Sequence, residues 1–162
     1  MTKRVTSPLI KDLSAEELKD IIVSWGYEAF RAVQIMDEIY SKRAESFSSM
    51  SLIPKSLRQK LEKNFKLNDF VQETVRRSSD GSVKILLTLQ DGNSIETVFM
   101  PWLDSETGET ARNTLCVSSM AGCPLSCAFC ATGALGFKRN LTASEIIGQL
   151  FVSERICGEK IT

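Results

Sequence analysis

The apolar residues of this chain change their spacing near residue 68, and that change limits what it can fold into. Before it they recur three and four positions apart, the period of a helix packed on one side. Ser14-Ala15-Glu16-Glu17 is a capping box, in which Ser14 and Glu17 satisfy the free amides at a helix start. Leu18, Ile21, Ile22 and Trp25 follow on one face, and Gly26 supplies a stop. A second helix is predicted from Ala29 to Arg43, with Phe30, Val33, Met36 and Tyr40 on one stripe and Ala32, Ile35 and Ile39 beside it. Ser48 to Ile53 reads as a loop. Pro54 suits the first turn of a third helix, in which Leu57, Leu61 and Phe65 repeat at every fourth residue.

Beyond residue 70 the pattern becomes that of strands. Val71–Arg77, Val83–Leu89 and Ser94–Met100 are rich in Val, Ile, Leu and Thr and are separated by Asp80-Gly81 and Asp91-Gly92. Such dipeptides between apolar runs signal hairpins, so a three-stranded antiparallel meander is expected. Pro101 to Arg112 is polar, with Asp104, Glu106, Gly108 and Glu109, and reads as a linker. A short strand follows over Asn113–Ser118, then a Gly- and Cys-containing loop to Asn140. Thr142-Ala143-Ser144-Glu145 is a second capping box, and Ile146, Ile147, Leu150 and Phe151 supply the apolar face of its helix. Strand, loop and helix together read as the opening βα unit of an α/β fold. The expected architecture is α+β and then α/β: a small helical domain over 1–68, an antiparallel β meander with linker over 69–111, and the βα unit over 112–162.

Composition excludes several function classes. Twenty basic and 20 acidic residues cancel, which rules out a histone-like basic coat and an acidic tail protein. No apolar run is long enough for a membrane span, and Met1–Lys11 has no apolar core of signal-peptide length, so the expectation is a cytoplasmic protein with no membrane partner. The chain has no histidine, so Ser-His-Asp triads, Cys-His proteases and two-His metal sites are excluded. Its five cysteines, Cys116, Cys123, Cys127, Cys130 and Cys157, all lie in the last third. An odd, clustered set without a secretion signal points to metal or redox work.

Cys123, Cys127 and Cys130 stand in a C-x3-C-x2-C spacing. Three thiolates so placed suit an iron–sulfur cluster with one iron open, able to chelate S-adenosylmethionine and reduce its sulfonium to give a 5′-deoxyadenosyl radical. The alternative is structural zinc with Cys116 as fourth ligand. Phe129 reads either as loop packing or as an aromatic wall for the cofactor's adenine. Lys55, Arg58, Lys60, Lys63 and Lys66 outnumber the single acid Glu62, which makes either a solvated helix face or a phosphate-facing one. Lys138 and Arg139, after the loop, are further candidate phosphate contacts.

Three runs carry a resemblance: Thr114-Leu115-Cys116-Val117-Ser118-Ser119, Gly122-Cys123-Pro124-Leu125-Ser126-Cys127-Ala128-Phe129-Cys130-Ala131-Thr132-Gly133, and Gly136-Phe137-Lys138-Arg139-Asn140-Leu141-Thr142. Upstream stand Phe30-Arg31-Ala32-Val33-Gln34-Ile35, Leu52-Ile53-Pro54-Lys55-Ser56-Leu57-Arg58 and Ser94-Ile95-Glu96-Thr97-Val98. From about residue 13 onward the sequence resembles the RlmN/Cfr family of radical-SAM RNA methyltransferases, in its dual-specificity RlmN branch.

The resemblance implies methylation of carbon 2 of adenosine in 23S rRNA and tRNA, with S-adenosylmethionine, a 4Fe-4S cluster and an electron donor protein. It implies that Cys123, Cys127 and Cys130 are the cluster ligands and that residues 112–162 begin a truncated radical-SAM partial (β/α) barrel. It implies that Glu96 is a proton acceptor, and that Cys116 forms a transient disulfide with a C-terminal cysteine to resolve a protein–RNA adduct. Read without it, Cys116 is core and Glu96 an outward strand residue. Which of the two takes the substrate proton stays open, and Cys157 reads as a helix-end residue.

Family enzymes are far longer. The Gly-Glu-Pro-type strand, the rest of the barrel and the methyl-carrying C-terminal cysteine have no counterpart here. The expectation is a fragment of a longer product that is inactive alone. The alternative is a non-catalytic RNA-binding module with a zinc or iron–sulfur loop. The sequence is silent on oligomeric state.

Overall fold

A computed structural model describes residues 7–104, 106–107, 110–125, 127 and 129–162. Gly108 and Glu109 of the expected linker lie outside the described residues, as do Ser126 and Ala128 of the cysteine loop. The chain divides into two compact units, Met1–Asn68 and Asp69–Thr162.

The first unit holds α1 (Ala15–Ser24), α2 (Phe30–Tyr40) and α3 (Lys55–Asn64). The capping box at α1 forms: the Glu17 N–H donates to Ser14 Oγ at 3.2 Å, and the Ser14 N–H donates to Glu17 Oε2 at 2.8 Å. Leu18 and Ile22 are fully buried. In α2 the inward stripe is Ala32, Ile35 and Ile39, whereas Val33 is 71% exposed and Phe30 half-exposed. On the other stripe Met36 and Tyr40 are half-buried, so only its Phe30 and Val33 end faces outward. A helix buries one face of limited width, and with apolar residues on two stripes the neighbouring elements decide which face that is. Pro54 stands at the N-cap of α3, one place before its first turn, and Leu57 and Leu61 point inward. The expected loop at 48–53 buries Met50 and Ile53.

The second unit is built on β1 (Phe70–Arg77), β2 (Val83–Leu89), β3 (Ser94–Leu103) and β4 (Thr110–Cys116), in that order and antiparallel throughout. Both Asp-Gly turns form, with Gly81 and Gly92 at positive φ. The meander thus has four strands. Pro101–Leu103 extends β3, and residues 110–112 belong to β4, so much of the stretch read as linker is sheet. The polar residues there sit on a half-solvated hairpin, where alternation is weak and composition resembles that of a loop. Strand β4 also opens a β–loop–α unit. After α5 (Ala143–Cys157) the chain returns to it: the Thr162 N–H donates to the Asn113 carbonyl at 3.2 Å, and Asn113 Nδ2 donates to the Lys160 carbonyl at 2.9 Å.

Val83, Ile85, Leu87, Leu89, Ile95 and Phe99 alternate onto one sheet face and form the core. Each fully buried Leu or Ile there contributes about 1.5–3 kcal/mol, so a one-residue slip in register, which would expose them all, is strongly disfavoured. Ile146, Val152 and Ile156 of α5 pack against this core.

The face of α5 buried most deeply is nevertheless polar: Ser144, Glu145, Gly148, Gln149 and Ser153. Ile147 is more than a third exposed, and Leu150 and Phe151 are half-buried. The apolar face expected from sequence is therefore only partly covered. The reason lies in the partners. Ser144 Oγ donates to Asp69 Oδ1, and Gly148 leaves room for the same carboxylate, which an added Cβ would overlap. Gln149 and Glu145 hold the two stems of the cysteine loop, described below.

The incoming stem runs from Val117 through β5 (Met120–Ala121) and the outgoing one is β6 (Arg139–Asn140); β5 and β6 form a two-stranded antiparallel ribbon. The backbones of Gly122 and Gly136 cross so closely that a Cβ on Gly122 would overlap the Gly136 carbonyl, and Gly122 has φ +72°. Gly122→Ala is expected to destabilise this unit by about 3 kcal/mol, through both the clash and the left-handed backbone. The urea midpoint followed at Trp102 in a Trp25→Phe background measures it.

Arg139 Nε donates to Asp91 Oδ2 at 2.6 Å. Burial works to raise the Asp91 carboxyl, but hydrogen bonds from Arg139 and Asn93 outweigh it and leave it below the usual range. A carboxyl lowered by folding adds stability that is complete above its unfolded value, about pH 4, and is lost as pH falls through the lower folded value. Asp91→Asn is expected to flatten that acid limb in urea midpoints measured against pH.

Candidate functional site

Register places Glu96 and Cys116 on the same face of the sheet, the one opposite the core. Leu86 pairs with Glu96, and Val98 with Cys116. Glu96 and Cys116 are therefore diagonal neighbours on β3 and β4, a relation that sets Cα atoms about 7–8 Å apart. Both side chains are exposed, so Cys116 is not the core residue its apolar strand suggested. Lys84 Nζ lies 3.2 Å from Glu96 Oε1 across the strands.

Side chains hold the two strands together beside this pair. Thr97 Oγ1 donates to the Cys116 carbonyl and Ser118 Oγ to the Glu96 carbonyl, each at 2.7 Å. Ladder pairing ends at Val98 and Cys116, and these hydroxyls continue it for one further step. Neither Thr97 nor Ser118 stood out in the sequence, because their partners are about twenty residues away.

The cysteine loop leaves from the same strand. Residues 117–119 lead from β4 to β5, and Gly122 to Lys138 run between β5 and β6. All five cysteines are free thiols. Cys130 precedes α4 (Ala131–Ala134), and hydrogen bonds from the Gly133 and Thr132 N–H groups hold its thiol below the ordinary value. A thiol so placed favours the thiolate, which is the form that binds metal. Burial pushes the Cys157 thiol up, and it packs beside the core as the last residue of α5, in keeping with a helix-end residue.

Three thiols within eight residues, none in a disulfide and one with N–H donors turned to it, are a donor set that fits a thiolate-ligated iron–sulfur cluster. Among the described residues no three His, Cys, Asp or Glu side chains are gathered into a metal-holding group. Thiolates repel one another, and the free energy that gathers them comes from ligation itself. Phe129 is 94% exposed, so it does not pack against its own loop.

The basic residues divide. Lys55 and Lys138 are exposed. Arg58 is half-buried and its guanidinium donates to the Ser48 carbonyl, which makes it a strut for the loop before α3. Lys60 Nζ lies over Trp25 at 5.4 Å and donates to the Trp25 carbonyl. Arg139 is committed within the protein. Besides Asp91 it meets Glu145 with two nitrogens at 2.7 and 2.8 Å, so two carboxylates neutralise the charge proposed for phosphate. Hydrogen bonding to Glu145 also pushes the guanidinium pKa up, against burial.

Sequence reasoning missed the partners of the loop stems. The Ser118 N–H donates to Gln149 Oε1 at 2.8 Å, and Gln149 Nε2 returns a bond to the Ser118 carbonyl at 2.9 Å. The usable signal was polar and small residues spaced three and four apart, at 144, 145, 148, 149 and 153, on a helix with an apolar face elsewhere.

Comparison with known proteins gives this arrangement a context. Residues 10–67 match the family described as the ribosomal RNA large subunit methyltransferase N-terminal domain. A probable dual-specificity RNA methyltransferase RlmN from Akkermansia muciniphila is 39% identical over 155 residues, 95% of this chain and 43% of its own length. One from Thermus thermophilus is 48% identical over 123 residues, 76% of this chain and 33% of its own. The crystal structure of a radical SAM methyltransferase from Sphaerobacter thermophilus superposes with a TM-score of 0.83 at 34% identity, covering 96% of this chain and 45% of that one. The chain spans less than half the length of these relatives. It belongs to the RlmN family of radical-SAM methyltransferases and corresponds to the N-terminal portion of its members.

Proposed function

We propose that this chain is the N-terminal part of an enzyme that methylates carbon 2 of adenosine in 23S rRNA and tRNA. The observation that carries this reading is the joint placement of its polar groups. Glu96 and Cys116 stand on one exposed sheet face, and the loop with Cys123, Cys127 and Cys130 continues from the strand that holds Cys116.

The three loop thiolates would hold a 4Fe-4S cluster, and S-adenosylmethionine would bind beside it. The chemistry supplied by that pair, when bound, is one-electron cleavage to a 5′-deoxyadenosyl radical, with the electron coming from a donor protein. Phe129 offers its exposed ring as a stacking surface for the adenine. The Glu96 carboxylate, with Lys84 beside it, accepts the proton released from the base. Cys116 supplies the thiol that resolves a protein–RNA adduct on a cysteine outside this chain. Lys55 and Lys138 contact phosphates, whereas Arg58 and Arg139 serve the fold.

Anaerobic reconstitution of the full-length protein with iron and sulfide is expected to give a brown protein. Cys127→Ala should abolish its visible absorption, and Cys157→Ala should leave it intact. A colourless parent protein holding one zinc would sink the cluster reading. Cys116→Ala and Glu96→Gln are expected to keep the colour and lose product, as mass spectrometry of the RNA would reveal. For RNA binding, Lys55→Ala and Lys138→Ala should each lower the slope of log affinity against log salt by about 1. An unchanged slope counts against the contact removed.

A further inference from the structure

Helix α5 buries a carboxylate and an amide, although an apolar side chain at either place would dock it at lower cost. Glu145 is 3% exposed and Gln149 is wholly buried. The two are four residues apart, so they stand one above the other on one helix face. Each grips a different stem of the cysteine loop. Gln149 holds the incoming stem through both backbone groups of Ser118. Glu145 holds the outgoing stem through the Arg139 guanidinium.

Their polar atoms are paired within the protein. Glu145 Oε2 also accepts from the Thr142 N–H at 2.9 Å, and Gln149 Nε2 also donates to the Glu145 carbonyl at 3.2 Å. Fully paired buried groups add little net stability over an apolar face but allow only one register. The register held here is the spacing between the two ends of the loop. Arg139 adds a third point. Its Nε reaches Asp91 in the turn that starts β3, the strand carrying Glu96. One guanidinium therefore ties the outgoing stem to both α5 and the Glu96 strand.

We propose that Gln149, Glu145 and Arg139 are positioning residues that fix the span of the cysteine loop, so that its three thiols close on an iron–sulfur cluster. The inference rests on the cluster reading above. It assigns to α5 the task of anchoring the loop, with Asp91 joining that anchor to the proton-accepting strand.

The test uses the full-length protein, reconstituted anaerobically with ferrous iron and sulfide. Two quantities are read: the rate of iron release to a ferrous chelator and the electron paramagnetic resonance spectrum of the reduced cluster. Arg139→Met and Gln149→Leu are expected to release iron about tenfold faster or more, with an altered spectrum. Arg139→Lys and Asp91→Asn keep part of the anchor and are expected to fall between these and the parent. They also carry the test if the harsher variants fail to fold. Arg155→Met is the control. Arg155 stands on the same helix and pairs with Glu73 of β1 at 2.6 Å, so its release rate should match the parent's. Parental rates and spectra in the Arg139 and Gln149 variants would overturn the inference. Equal acceleration in Arg155→Met would do the same, because the effect would then be general loosening of α5. A parent that binds no cluster brings down the cluster reading and this inference with it.

Discussion

A guanidinium shared between a buried carboxylate and a turn carboxylate joins the working parts of the second unit. Arg139 reaches Glu145 on α5 and Asp91 in the turn before β3. Without its partner, Glu145 would be an unpaired charge almost wholly out of water, a large penalty in a protein interior. The pair is therefore obligatory once α5 docks on this face. Its net contribution to stability is small, because desolvation offsets most of the attraction. What it contributes is direction: ribbon, helix and hairpin meet at one place and in one orientation.

Parity along the strands does the rest. In an antiparallel sheet every second residue faces the same way, so the apolar pattern that buries Ile95, Phe99, Ile85 and Leu87 turns Glu96 and Cys116 outward. The site face is thus a by-product of core formation. Moving Glu96 to the other face would require a one-residue slip, which would expose the whole core. At the same edge, ladder bonds give way to hydroxyl bonds from Thr97 and Ser118, and the chain is free to leave the sheet as the cysteine loop. Gly122 lets the loop close on itself, since a side chain there would overlap the Gly136 carbonyl where the two backbones cross.

Features whose partners lie within a few residues were legible beforehand. The capping boxes at Ser14 and Thr142, the Asp-Gly turns and the β2 boundaries rest on contacts of short sequence range. The buried face of α5 was not legible, and which of the two stripes of α2 faces inward stayed open. Each helix carries more than one stripe that could face inward, and its neighbours choose among them. Strand β4 was partly hidden because its polar residues sit on a sheet face that meets solvent. Arg58 and Arg139 looked like free cations, since the Ser48 carbonyl, Asp91 and the paired face of Glu145 become their partners only on folding.

The sequence by itself determined the chemistry available: no histidine, three closely spaced thiols, a glutamate in a strand and a cysteine beside the loop. It also determined the helical and strand periods, because these follow from backbone geometry and local burial. Only the tertiary structure decided that Glu96 and Cys116 share a face, that α5 buries its polar side and that Arg139 braces the fold. Those outcomes depend on contacts between residues far apart in the chain, whose energies exist only after the sheet has formed.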